Sequence, residues 1–405
     1  MSDKQENKIE KGLHYFLLYI TIICGGSAWI SFFGNDQFVL FIFGISLLHF
    51  IVKGKIRKSF TVMIVFYSIF CFMAMLYSEL SIGTYINILG KVLLSYAVID
   101  FNKEKFVPRL MNLAVILSTI SNMIFIVIQV VGMEALAPIY TRLYTKTTDG
   151  SYSLGNGYGL LLYRFVPLHS TRNCGIFTEP GEYAIFLCVI IFFMINYHKY
   201  LTNKKKLFYA SMLVFSLITT QSTSGYFMFL GVVVLGIISR KIRIFNRKTI
   251  GIIAIAVILF GNTIVSMYNS TIANKIIEKG AINFNQGTAA ARYMSIQSVF
   301  EYIDKHPSVL LGMGFEGLQN AGIGQCAGLL AVLLAVGVFA FTILYGFIIG
   351  VSFIYKKDIT EFLMQIILFL ISGLSQPGTA FPIIFMMCMY SYISKSTMTI
   401  KSYLV

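Results

Sequence analysis

Long apolar runs free of charge recur along this whole chain, and they decide what it can fold into. FVLFIFGISLL at 38–48 and GIIAIAVILF at 251–260 are two of them. A helix needs about 20 apolar residues to cross a bilayer. No water reaches the backbone there, so spanning segments are either helices or closed barrels. Barrel strands alternate apolar and polar residues over about ten positions; these runs do not alternate, which excludes a barrel. Charged residues make up 12% of the chain, about half the share that covers a soluble domain. The expected fold is therefore an all-α polytopic membrane protein, a single integral membrane domain over 1–405.

The runs predict about twelve transmembrane helices, near 13–33, 38–52, 59–78, 80–99, 110–132, 181–198, 207–221, 223–239, 249–268, 326–350, 361–376 and 380–394. With the N-terminus inside, 23 of the 32 Lys and Arg fall on inner segments, eight on outer ones, and Lys91 within a span. That asymmetry follows the positive-inside rule and makes both termini cytoplasmic. It also explains the net charge of +15 without nucleic acid as a partner. The charged N-terminal stretch has no small-residue cleavage site and reads as a retained tail. No internal repeat is visible. Of the six cysteines, four fall in spans; Cys174 and Cys326 lie in or beside outer segments and are the pair that could bridge, although two cysteines define no framework.

Two large extracytoplasmic loops result, 133–180 and 269–325. The first is rich in Gly, Tyr and Thr and reads as irregular or re-entrant. Its end, GIFTEPGEY, places Thr178 or Glu179 at a helix cap with Pro180 in the first turn. The second loop is expected to hold an amphipathic helix at 289–304, with Ile296, Val299, Phe300 and Ile303 as one apolar stripe. Pro307 ends it, and the glycines of LGMGFEGLQNAGIG then read as an open, mobile approach to the next span. Two tight hairpins, TTQSTSG and GLSQPG, put Gln221, Ser222, Ser224, Ser375 and Gln376 below the membrane surface. There they either floor a wet cavity or bond between helices.

Most of the side chains able to do chemistry lie on the same, outer side. Arg142, Arg164, Arg172 and Arg292 run against the charge bias, and a guanidinium matches phosphate oxygens bidentately. A single such arginine more simply pairs with a carboxylate or a lipid headgroup; three near membrane depth suit a pyrophosphate. Lys91 sits mid-span, facing either a cavity or partner or reaching for the inner interface. Glu179 and His169 are placed to accept a proton from an attacking hydroxyl, and Glu179 reads equally as a cap or as the ion-pair partner of Arg172. No metal-binding spacing and no phosphate-binding GxxxxGK[ST] loop occurs. No metal or cofactor is expected, and any energy for a reaction should reside in the substrate.

The chain resembles the Wzy-type polymerases of bacterial O-antigen and capsule, relatives of the O-antigen ligases. The resemblance rests on the plan of a dozen spans with two enlarged outer loops. It rests also on Arg164 and Gly175 with ten residues between them, on RNCGIFTEP at 172–180, and on ARYMSIQSVFEYIDKHPSVLLGMGF at 291–315. It implies a GT-C-like integral membrane glycosyltransferase in the bacterial cytoplasmic membrane. The substrate would be an undecaprenyl-pyrophosphate-linked oligosaccharide, with a chain-length regulator and a flippase of the same pathway as partners. Arg164, Arg172 and Arg292, with Lys91, Gln221 and Ser224, would bind pyrophosphate or glycan, and Glu179, Arg172 and His169 would serve the reaction. The ligase branch usually carries a histidine late in the second loop, where this chain has Gln325 and Cys326. A lipid-linked oligosaccharide flippase is the rival of another class; its outer connections would be short.

Overall fold

The computed structural model describes residues 8–25, 35–53, 56–77, 81–132, 141–146, 152–160, 162–165, 170–197, 201–241, 277–278, 281–282, 287–323, 328–375 and 380–402. The first five helices are α1 (Lys8–Ile23), α2 (Asn35–Lys53), α3 (Lys58–Tyr77), α4 (Ile82–Asn102) and α5 (Phe106–Val131). Three short strands follow, β1 (Thr141–Lys146), β2 (Tyr152–Leu160) and β3 (Tyr163–Phe165), then α6 (Pro180–Asn196), α7 (Asn203–Thr220) and α8 (Thr223–Ile238). Two-residue strands β4 (Ile277–Glu278) and β5 (Ala281–Ile282) precede α9 (Gly287–Lys305) and α10 (Gly314–Asn320). The chain continues through α11 (Gly328–Val336), α12 (Val338–Tyr355), α13 (Ile359–Ser375) and α14 (Pro382–Ser402). A helix lies over every predicted span except 249–268, which is outside the described residues.

Three stretches, Lys58–Tyr77, Ile82–Val131 and Val338–Tyr355, are long and apolar enough to cross a membrane, and several apolar helices are shorter. The middle stretch contains α4 and α5, joined by a 3-10 turn at Lys103–Lys105. On α3, Val62, Phe66, Ile69, Phe72, Met73 and Leu76 are all exposed. A continuous apolar face of that size needs a lipid or protein covering. α6 and the first half of α14 are buried on every side, as helices apolar all round must be. They form the centre, with α4, α5, α7, α8, α12 and α13 packed around them.

Four expectations are corrected. The first loop is not simply irregular: β1, β2 and β3 form an antiparallel sheet in that order, with Gly159 opposite Arg164. The span expected at 326–350 is broken at Gly337 (φ +85°), so α11 is a separate nine-residue helix and α12 begins afresh. A Cβ on Gly337 would stand 2.2 Å from the Leu311 carbonyl oxygen, and one on Gly312 2.8 Å from the Val336 carbonyl carbon. The two backbones meet through glycine, and the apolar run hides the break.

The approach to that span is likewise folded rather than open. Met313 N donates to Leu334 O (3.0 Å), Phe315 N donates to Thr84 Oγ1 (3.1 Å), and α10 follows at once. Glycines there permit close packing rather than motion. Lastly, α9 has the predicted extent, but its buried stripe is carried by Val299 with half-buried Ile296 and Ile303, while Phe300 is 56% exposed.

Candidate functional site

The segment that carries the sequence motif is tied down from both ends. Tyr163 and Phe165 of β3 are buried against Phe125 and Ile128 of α5. Neighbouring strand residues face opposite ways, so Arg164 between them points away from α5. It is nevertheless only 7% exposed. Its backbone N donates to Gly175 O at 2.6 Å; the arginine and the glycine of the ten-residue spacing are thus joined directly. Gly175 has φ +58°, and a Cβ there would lie 3.0 Å from the Tyr183 ring, so the position admits glycine alone without strain.

Arg164 itself is the unusual group. Among the described residues, its Nε and Nη1 have no hydrogen-bond partner. Burial lowers its pKa, and Glu182, Cys174 and Glu179 oppose that shift; a guanidinium still keeps its proton. A buried donor with nothing to bind is costly, about 1–3 kcal/mol and more when charged.

Arg172 is differently employed. Nε donates to Thr220 O (3.0 Å) and Nη2 to Gln221 O (3.2 Å), satisfying carbonyls that the end of α7 leaves open. Gln221 closes that end in the left-handed region (φ 48°, ψ 39°), and its Nε2 returns a bond to Thr171 O (3.1 Å). Burial lowers the Arg172 pKa too, against Cys174, Tyr226 and Glu179. Both arginines therefore feel Glu179, and both act on Cys174, whose thiol burial pushes up to about 12. Cys174 is a free, buried thiol; Cys326, the cysteine that could have paired with it, is outside the described residues.

Glu179 is the exposed N-cap of α6, in a capping box with Glu182, and Pro180 opens the first turn, as the sequence pattern requires. Glu182 is buried and uses Oε2 to accept from Thr178 N (3.1 Å), Thr178 Oγ1 (2.5 Å) and Glu179 N (3.2 Å). The same carboxylate acts on Lys91 of α4 as well as on Arg164. Lys91 lies nine residues into α4, about 13 Å below its start at 1.5 Å per residue. The charged groups therefore form a cluster recessed below the exposed Glu179, with Arg164 and Glu182 buried. Nearby, Ser95 Oγ donates to Pro382 O (3.2 Å), so α14 starts at the depth of α4's fourth turn.

The hairpin hydroxyls bond mainly to their own chain. Thr219 and Thr220 donate to carbonyls one turn back, Ser222 Oγ caps α8 by accepting from Gly225 N (3.3 Å), and Ser224 Oγ pairs with Ser222 Oγ (3.2 Å). Gln376 and His169 are outside the described residues. Arg292 falls within α9, but its side chain is outside them as well. The structure thus brings together Arg164, Arg172, Glu179, Glu182 and Lys91, with Gln221 against the arginine loop and Ser224 one turn along.

One residue went unread in the sequence. Asn173, fully buried, accepts from Ser121 Oγ (2.7 Å) and Gly175 N (3.0 Å) and donates to Asn122 Oδ1 and Thr219 Oγ1 (3.1 Å each). Its position between Arg172 and Cys174 was the only signal. Compared with protein-family models, with characterised proteins and with solved structures, the chain has no match.

Proposed function

We propose that this chain is a polysaccharide polymerase of the Wzy type, acting on the outer face of a bacterial cytoplasmic membrane. It transfers a growing glycan from its undecaprenyl pyrophosphate carrier to the next lipid-linked repeat unit, for O-antigen or capsule. The observation that carries the reading is Arg164, a buried guanidinium with two donors unmatched among the described residues. A permanent cation held in that state is preorganised for an anion. In this reaction the anion is the pyrophosphate on which negative charge grows as the bond from sugar C1 to phosphate oxygen breaks.

The attacking hydroxyl oxygen forms the new bond to C1, the carrier leaves as its pyrophosphate, and the hydroxyl proton passes to a base. Glu182 is already engaged in capping bonds. Glu179 is exposed at the mouth of the recess and takes the base role, with His169 as the other proton acceptor. Arg164, Arg172 and Arg292, with Lys91, hold the leaving group, and Gln221 and Ser224 line the glycan's approach. Neither metal nor nucleotide enters this scheme.

The test is reconstitution of the purified chain with lipid-linked repeat units alone. A ladder of lengthened products is expected, and Arg164→Ala should abolish it at normal protein levels. A ladder that requires added nucleotide sugar would overturn the assignment.

A further inference from the structure

We infer that Asn173 is the positioning residue of this site: its side-chain amide fixes Arg164 and Arg172 in a relative placement that selects a diphosphate over a single phosphate. The inference rests on the reading of the recess as a pyrophosphate site. An amide offers two donor hydrogens and an oxygen with two lone pairs. Asn173 uses all four, on Asn122 and Thr219 as donor and from Ser121 and Gly175 as acceptor. Its backbone N adds a bond to Thr219 O (2.8 Å). Ser121 and Asn122 belong to α5 and Thr219 to α7, so a single side chain joins two helices and its own loop.

Both arginines are tied to this node. Arg172 precedes it in sequence and is anchored to Thr220 and Gln221, the residues after Asn173's partner Thr219. On the other side, Asn173 Oδ1 holds Gly175 N, and Gly175 O holds Arg164 N. The separation of the two cations therefore passes through the Asn173 amide. A diphosphate has charge at two phosphorus centres and reads that separation; a monophosphate meets either cation alone. Aspartate would not substitute, because it keeps the acceptor oxygen but loses the donors to Asn122 and Thr219.

The experiment is calorimetric titration of the full-length protein in detergent with inorganic pyrophosphate and, separately, inorganic phosphate. Wild type should prefer pyrophosphate by about tenfold or more, a difference of 1.4 kcal/mol per decade. Asn173→Ala should bind both weakly with a ratio near one and unchanged stoichiometry, and Asn173→Asp should behave likewise. A role in folding alone would reduce the competent fraction and leave the ratio intact, so an unchanged ratio overturns the inference. Should Asn173→Ala fail to unfold cooperatively, Ser121→Ala decides, since it removes one bond and must lower the ratio part-way. Wild type that binds neither anion overturns the pyrophosphate reading itself, and that outcome needs no variant to recognise.

Discussion

Buried donors left unmatched on a cation are a cost that a ligand can repay. Arg164 is the case here: 7% exposed, with Nε and Nη1 unmatched among the described residues. If its purpose is a ligand, removing it should relieve the unliganded protein of buried donors left unmatched, a cost of about 1–3 kcal/mol. Arg164→Met is therefore expected to raise or leave unchanged the midpoint of thermal unfolding in detergent while abolishing product lengthening. A drop equivalent to about 3 kcal/mol or more, the usual cost of breaking a buried pair, would show a structural partner instead. The arginines of the cluster were legible in the sequence because they break the charge bias on segments read as outer. Asn173 was not, because an amide in a loop carries no periodicity and its partners Asn122 and Thr219 stand about fifty positions away.

At the scale of elements, the informative feature is the break between α11 and α12. Gly337 at φ +85° and Gly312 at φ +111° place two backbones in contact, and this seats the end of the second loop on the start of α12. Gly337→Ala puts its Cβ within 2.2–3.0 Å of Leu311 and Gly312 backbone atoms, where no side chain can yield. It should cost about 1–3 kcal/mol, the range for overpacking. Gly346, within the same α12, has open space at its Cβ, and Gly346→Ala should be neutral or stabilising by up to about 1 kcal/mol. Equal thermal shifts for the two variants would show that the break is incidental. The sequence marked most helices well because apolar length is what a bilayer demands, and it marked the start of α6 because Glu179, Pro180 and Glu182 satisfy a helix end locally. It concealed the Gly337 break because apolar residues continue across it. It concealed β1 to β3 because pairing, not composition, makes a strand of a Gly- and Tyr-rich loop.

For the whole molecule, the two ends of the bundle differ in kind. At one end, Lys241 Nζ meets Asp358 Oδ2 at 2.7 Å and Lys357 Nζ donates to Asn196 O (3.2 Å). His49 faces Asp100 there, and Arg57 lies over the Tyr392 ring at 4.1 Å. At the other end are the Arg172 loop on the close of α7 and the α10 segment on the start of α4. α4 and α6 run from the second end to the first, and α7 returns. This agrees with the charge count, which puts Lys103, Lys105, Lys204, Lys241 and Lys357 on the cytoplasmic side. Ser170, Gln319, Lys105 and Lys204 are all exposed, whereas Cys24, Cys71, Cys174, Cys188 and Cys388 are buried, so with Cys326 replaced by serine single introduced thiols can be read against a quiet background. In intact cells, Ser170→Cys and Gln319→Cys should react with a membrane-impermeant maleimide, and Lys105→Cys and Lys204→Cys only after the membrane is opened. The reverse pattern would place Arg164 and its recess on the cytoplasmic face, and a polymerase fed by exported, lipid-linked units could not work from there.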